Sequence, residues 1–327
     1  MIHTQKVGVV GMGHVGAHVA NSLLLQGVCG ELYLCDLNAQ KLTSECQDLS
    51  DSLSFAPVNA GTVNVGDRYE ELACCDVIVN AAGNVVLAAN GRDGELHFTT
   101  DACRTFAGRV AAAGFDGVWV TIANPCDVVA TEIQLLTGCD PRHVIGSGTA
   151  LDSARFRTVL SRETGYDPRS ITAYMIGEHG DSMFACWSHV AFGGKPLAEL
   201  ERDCPERFSF DKDALEHTAR RAGYVTYAGK GCTEYAVANC AVRICKAVLN
   251  DEHAIMAAGT YLTGQYGERG IYTSLPCVIG ADGVEEVVEL DFSEREVASF
   301  HATCAKVRSN IAQLDWWPKV DAKGVAR

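Results

Sequence analysis

The sequence predicts an α/β protein, a doubly wound parallel sheet followed by an α+β second half. Three observations predict it. An apolar strand, Val7–Val10, runs straight into Gly11-Met12-Gly13-His14-Val15-Gly16 and a helix-like stretch, His18–Leu25. A second short apolar strand, Leu32–Cys35, ends in Asp36. Apolar runs bounded by Gly, Asn or Asp then recur up to Gly148, several of them separated by helix-length stretches, after which the pattern changes.

Each element has its own reason. In the first turn Gly11 permits a tight reversal, Gly13 lets the backbone approach a pyrophosphate, and Gly16 lets the following helix pack closely on the strand, which is the context the Rossmann dinucleotide fingerprint requires. Asp36 stands at the end of the next strand, where a carboxylate accepts hydrogen bonds from ribose hydroxyls and repels a 2′-phosphate, favouring NAD over NADP. His14 and His18 lie four apart and suggest a metal pair, but no Glu follows His14 and the glycines already account for the segment, so no metal is expected. Asp76–Ala81, Val118–Ile122 and His143–Ile145 supply the remaining strands of a parallel sheet. Beyond Gly148, Asp152–Glu163 reads as a helix, Ile171–Ile176 and Ala185–Phe192 as strands, and Asp211–Ala228 and Thr233–Leu249 as two long helices. Strands near Ile271–Ile279 and Val284–Leu290 and a helix Glu294–Leu314 close the chain, which divides into a nucleotide-binding domain (1–148) and an α+β substrate domain (149–327). There is no internal repeat or low-complexity linker, so the active site is expected between two broadly packed halves.

Composition narrows the class. A chain of 327 residues, 47% hydrophobic, buries a substantial core, and no apolar run approaches membrane-spanning length. With no exported leader in the reading, a cytoplasmic protein is expected. Its fifteen cysteines are odd in number, scattered through apolar stretches such as Cys74-Cys75, and form no Cys-x-x-Cys, which fits reduced, mostly buried thiols. A net charge of −14 argues against nucleic acid or an anionic membrane as partner and leaves open a small anionic substrate held by local arginines.

The chemistry concentrates in two segments, Leu151-Asp152-Ser153-Ala154-Arg155 and Ile176-Gly177-Glu178-His179-Gly180-Asp181-Ser182. Histidine titrates near neutrality, so His179 can take a proton from an alcohol or give one to a carbonyl, and a buried carboxylate fixes its tautomer and stabilises its cation. Asp152 supplies that carboxylate, and Arg155, one helical turn on, can hold a substrate carboxylate by two parallel hydrogen bonds. A lone histidine is more often structural, and Arg155 beside Arg157 could be surface charge; the combination with the glycine turn carries the reading.

These residues, together with Ala81-Ala82-Gly83, Thr121-Ile122-Ala123-Asn124-Pro125, Gly146-Ser147-Gly148-Thr149-Ala150, Gly231-Cys232-Thr233 and Ser274-Leu275-Pro276-Cys277-Val278-Ile279-Gly280, resemble the L-lactate and L-malate dehydrogenase superfamily over nearly the whole chain, and within it most resemble the L-2-hydroxyisocaproate dehydrogenases. The resemblance implies reversible hydride transfer between NADH and a 2-oxo acid, with His179 as acid–base residue, Asp152 its partner and Arg155 the carboxylate clamp. It further implies that Asn124 contacts the substrate oxygen and the nicotinamide region, that Thr233 lines the pocket, and that Arg92, on a mobile loop, polarises the carbonyl. A homo-oligomer, tetramer or dimer, is implied as well. The stretch Asn84-Val85-Val86-Leu87-Ala88-Ala89-Asn90-Gly91 departs from the common lactate and malate pattern and is similar to that of the hydroxyisocaproate enzymes, though shorter than theirs. Lactate enzymes usually carry Gln and malate enzymes Arg where Val86 falls, counted from Gly83. An apolar residue there cannot pair with a second carboxylate, which disfavours malate and suits a branched or longer aliphatic side chain. L-lactate dehydrogenase is the nearer alternative; a non-catalytic NAD-binding sensor and an NAD-dependent glycosidase are rivals from other classes. The glycosidase needs a metal held by Cys and His and a sugar-sized cleft, and a sensor needs only the cofactor half.

Overall fold

A computed structural model describes residues 4–56, 59–87 and 92–314, the side chain of Arg92 excepted. Six parallel strands, β1 (Lys6–Val10), β2 (Glu31–Cys35), β3 (Gly61–Gly66), β4 (Val77–Asn80), β5 (Val118–Thr121) and β6 (Val144–Gly146), alternate with helices α1 (His14–Leu25), α2 (Ala39–Ser52), α3 (Leu96–Ala112) and α4 (Cys126–Thr137). The next helix, α5 (Ala150–Thr164), opens the second half. Short strands follow: β7 (Ile171–Thr172), β8 (Met175–Ile176), β9 (Phe184–Ala185), β10 (Ala191–Phe192) and β11 (Lys195–Pro196). Then come α6 (Leu197–Asp203), α7 (Pro205–Phe208), α8 (Lys212–Lys230), α9 (Tyr235–Leu249), three antiparallel strands β12 (Ala254–Thr263), β13 (Arg269–Gly280) and β14 (Gly283–Val287), and α10 (Glu294–Ile311).

The main sheet has nine strands in the order β14-β13-β12-β6-β5-β4-β1-β2-β3. Its inner strands are apolar on both faces because helices cover both. Val7, Val9, Val77, Val79, Val118 and Val120 face one core; Val10, Ile78 and Trp119 face the other. The strand order reverses between β1 and β4, so a crevice opens at their carboxyl ends. The antiparallel strands of the second half join the parallel set where Gly259 of β12 pairs with Gly146 of β6. A Cβ on Gly259 would stand 3.0 Å from the Gly146 Cα, so two glycines permit the join. The first core also recruits Ala238, Ala241, Val242, Ile244 and Cys245 from α9, which packs on α1.

Several expectations change. Ile171–Ile176 and Ala185–Phe192 are not continuous strands: β7 and β10 pair in one small sheet and β8 and β9 in another. The second break has a clear cause, since the Ser188 amide and hydroxyl both donate to the Glu296 carboxylate of α10, at 3.1 and 2.7 Å, and Trp187–His189 curls into a turn. Three strands, β3, β11 and β12, have no counterpart in the sequence reading. Only Val65 of β3 is buried, and β12 is Ala-rich yet held by a long ladder to β13. All fifteen cysteines are free thiols, and all but Cys74 are at least partly buried. Among the described residues no helix is long and apolar enough to cross a membrane. Trp316 and Trp317 lie outside the described residues.

Candidate active site

One cleft runs from the β1–α1 turn, across the carboxyl ends of β4, β5 and β6, to α5, the α8–α9 turn and His179. Its first wall is the glycine turn. Gly11 has φ +91°, and a Cβ there would come within 2.8 Å of the Ala81 and Ala82 backbone; a Cβ on Gly16 would sit 1.8 Å from the Gly11 carbonyl oxygen. Those two glycines are fixed by close approach. Gly13 differs: a Cβ would meet nothing within 4 Å, so the backbone faces open cleft at the amino end of α1, where free amides favour a phosphate. Asp36 accepts the Met12 amide (2.7 Å) and the Asn38 amide (2.7 Å), tying the end of β2 to this turn. The residues present therefore fit a dinucleotide. Of those assigned to it, Gly13, His14, Val15, Ala81, Gly83 and Asn124 line the cleft, while Gly11, Met12, Gly16, Ala82 and Asp36 build the floor and edge.

The opposite wall brings the predicted chemistry together. Asp152, fully buried on α5, accepts from the His179 ring Nδ1 at 2.6 Å on one oxygen and from an Arg155 guanidinium nitrogen at 2.8 Å on the other. His179 and Arg155 each keep 14% of their side chains exposed, on the cleft side. The turn carrying His179 is pinned from several directions. Gly177 (φ +97°) exchanges backbone hydrogen bonds of 3.0 Å with Ser274 of β13, the Glu178 amide donates to the Thr303 hydroxyl (2.8 Å), and the His179 amide donates to Asp127 (2.8 Å). Ser274 also accepts the Thr149 amide at 2.9 Å, so one serine links the starts of the segments that carry Asp152 and His179.

Two acids here were not read from the sequence. Asp127, at the start of α4, holds the His179 backbone; burial pushes its carboxyl up to about 8, with Glu178 and Asp152 adding to the shift. Its position three residues beyond Asn124 was the available signal. Glu95 lines the cleft, accepts the Asn84 amide (2.7 Å) and hydrogen bonds the Asn124 side chain, while burial raises its carboxyl above the usual range. It thereby orients Asn124, whose own carbonyl accepts the Thr99 hydroxyl at 2.7 Å.

The substrate wall departs from expectation. Thr233 lines the cleft from the turn between α8 and α9, not from a helix, because α8 ends at a left-handed Gly231 and α9 starts only at Tyr235. Val86 is 73% exposed and does not line the cleft; Val85 does, with its carbonyl accepting the Tyr227 hydroxyl at 3.3 Å. Gly223, Tyr224 and Tyr227 of α8 complete that wall, and Arg155 is the one arginine or lysine among the described lining residues. The side chain of Arg92, and residues 88–91 before it, lie outside the described residues.

Comparison with known proteins agrees with this architecture. Residues 5–146 match the lactate/malate dehydrogenase NAD binding domain and residues 149–315 the lactate/malate dehydrogenase alpha/beta C-terminal domain. The chain is 39% identical over 312 residues to an L-lactate dehydrogenase of Fusobacterium nucleatum subsp. nucleatum, covering 95% of this chain and 97% of that protein. It is 38% identical over 314 residues to L-lactate dehydrogenase 1 of Bifidobacterium longum, covering 96% and 99%. The crystal structure of a minor L-lactate dehydrogenase from Enterococcus mundtii in its ligands-bound form superposes with a TM-score of 0.90 at 32% identity, covering 96% of this chain and 99% of that one.

Proposed function

The chain belongs to the lactate/malate dehydrogenase family, and from that premise we propose that its substrate is a 2-oxo acid with a branched or longer aliphatic side chain, reduced with His179 as proton donor. It is an NAD-dependent oxidoreductase acting on 2-hydroxy acids. When bound, the nicotinamide supplies or receives the hydride at C2; the chain supplies orientation and charge. In this reading residues 1–148 hold the dinucleotide, on Gly11–Gly16, Asp36 and Ala81–Gly83, and residues 149–327 hold the substrate.

The observation that carries the mechanism is the continuous line Arg155, Asp152, His179, closed at 2.8 and 2.6 Å and open to the cleft at both ends. Arg155 grips the substrate carboxylate. Protonated His179 gives its proton to the carbonyl oxygen while Asp152 stabilises the cation; in the oxidation direction neutral His179 takes the hydroxyl proton. Asn124, held by Glu95, positions the same oxygen. Arg92 brings positive charge over the carbonyl as the loop closes, and Thr233 bounds the pocket.

Substrate preference rests on the wall made by Val85, Gly223, Tyr224 and Tyr227. Among the described residues it offers no second cation, so the extra carboxylate of oxaloacetate would be buried unpaired, at a cost of several kcal/mol. Each added buried methylene contributes about 0.8 kcal/mol in favour of a longer side chain. A second reading, pyruvate as substrate, has support of its own, since the similar proteins at 34–39% identity are named L-lactate dehydrogenases. NADH oxidation with pyruvate, 2-oxobutyrate, 2-oxoisocaproate, phenylpyruvate and oxaloacetate, compared by kcat/KM, separates the two. Preference for 2-oxoisocaproate or its neighbours sustains the aliphatic reading; preference for pyruvate replaces it and leaves the proton chemistry intact. A homotetramer or dimer is proposed alongside, supported by apolar side chains left at the surface such as Phe55, 90% exposed after α2; light scattering decides it.

A further inference from the structure

We propose that His14, Cys232 and Glu234 form a binding site for a thiophilic divalent cation of the Zn2+ class, at the mouth of the cleft, whose occupation inhibits the enzyme. Sequence spacing set a His14–His18 metal pair aside because no Glu follows His14 and the glycines already account for the segment. The fold supplies partners from far along the chain. The His14 ring nitrogen, the Cys232 sulfur and a Glu234 carboxylate oxygen all lie within 4.8 Å of one another. The His14 Nδ1 is 3.8 Å from Glu234 Oε2, and the Cys232 Sγ is 3.6 Å from that same oxygen. Ligands at tetrahedral zinc, with bonds of about 2.0 Å to N or O and 2.3 Å to S, stand roughly 3.3–3.5 Å apart, so small side-chain adjustments close the site.

The neighbours leave these atoms available. Lys230 pairs with the other oxygen of Glu234, Oε1. His18 also comes within 3.7 Å of Oε2, but its Nδ1 is engaged by the His14 carbonyl at 2.7 Å. His14 is 66% exposed at the side chain, which gives an ion a path in and leaves a fourth position for water. Cys232 binds as the thiolate, so its proton passes to solvent on loading.

His14 belongs to the glycine turn and Cys232 and Glu234 flank Thr233, so a bound ion ties the two walls of the cleft together at its mouth. Inhibition rests on the catalytic reading above; binding does not, and the test reads binding first. Co2+ is titrated into the purified protein without nucleotide, and the thiolate-to-cobalt charge-transfer absorption is recorded. One thiolate–cobalt centre per chain is expected, lost in Cys232→Ser and weakened more than about 100-fold in Glu234→Gln, beyond what an outer-shell partner is worth. Cys74→Ser, which removes the one exposed thiol, is expected to keep it. The exposed Asp251, His253 and Glu285 group, the other set able to hold an ion among the described residues, contains no sulfur and gives no such band. An unchanged band in Cys232→Ser, or an unchanged affinity in the folded Glu234→Gln protein, overturns the proposal. With binding established, Zn2+ is expected to inhibit NADH oxidation reversibly, with sensitivity lost on adding a chelator; binding without inhibition overturns the regulatory part alone.

Discussion

The two sides of the cleft are built on opposite principles. On the His179 side each part of the turn has its own anchor: ring by Asp152, backbone by Asp127, flanking glycine by Ser274. On the side formed by residues 83–87 the Tyr227 hydroxyl reaches over from the second half to the Val85 carbonyl, and the next residue, Val86, faces solvent. Proton transfer needs groups fixed to a fraction of an ångström, whereas accommodating a side chain needs only shape and dryness. The contrast teaches where change is tolerated: substitutions on the first side should damage turnover for every substrate, and those on the second should redistribute preference among substrates.

The largest effect expected is His179→Asn, which removes the proton donor and should lower kcat by about 100- to 10,000-fold for all 2-oxo acids alike, checked by steady-state NADH oxidation. Reduction and oxidation by the unaltered enzyme should have opposite pH preferences, and parallel profiles in the two directions would break the assignment.

Arg155→Lys keeps the charge but loses the planar fork, and should cost about 2–3 kcal/mol in kcat/KM, expressed mainly in KM. A uniform loss across pyruvate and 2-oxoisocaproate would sharpen the contrast between the two sides.

Next comes a test of the rigid side by pH. Burial raises Asp127 from 3.8 to about 8 and Glu132, further along α4 with neither oxygen hydrogen bonded, from 4.5 to about 9. Both carboxyls are held protonated in the fold, so their contribution to stability is full below the unfolded values and is lost as pH rises toward the folded ones. Unfolding free energy should therefore fall as pH rises from about 4 toward 8 or 9, by about 1.4 kcal/mol per pH unit for each acid, and denaturant melts of Asp127→Asn and Glu132→Gln should each show a flatter dependence. Only Asp127→Asn should also alter the alkaline limb of kcat, because Glu132 does not touch the site.

The smallest effects belong to the loop. Val85→Ala should reduce kcat/KM for 2-oxoisocaproate relative to pyruvate by about 1 kcal/mol, and Val86→Ala should leave that ratio nearly unchanged. Equal responses at the two positions would mean that the loop closes in a way that brings Val86 inward.

What was legible in the sequence follows the same division. The glycine turn and Asp36 were readable because the fingerprint is local, with each residue's task set by neighbours within one βαβ unit. Asp152, Arg155 and His179 were readable because two short segments carry them and their chemistry is complementary. Asp127 and Glu95 were not, since what makes each important is a partner fifty-two residues away in one case and an amide eleven residues back in the other, relations that only the fold creates. The loop misled by a single residue, Val86 for Val85, because irregular backbone has no period from which to infer a facing. β12 was hidden for a different reason: its alanines carry helical propensity, and the ladder to β13 overrides it.

The glycine join between β6 and β12 has a consequence for the autonomy of the halves. Since the sheet passes through Gly146 and Gly259 without interruption, and α9 fills the same core as α1, the boundary at residue 148 separates tasks and not folding units. A fragment ending at Gly148 would present the raw edge of β6 and a bare apolar face of α1, an invitation to aggregate. The nucleotide half is thus completed by chain made a hundred residues later, and during synthesis it must wait, unfinished, for the rest to emerge.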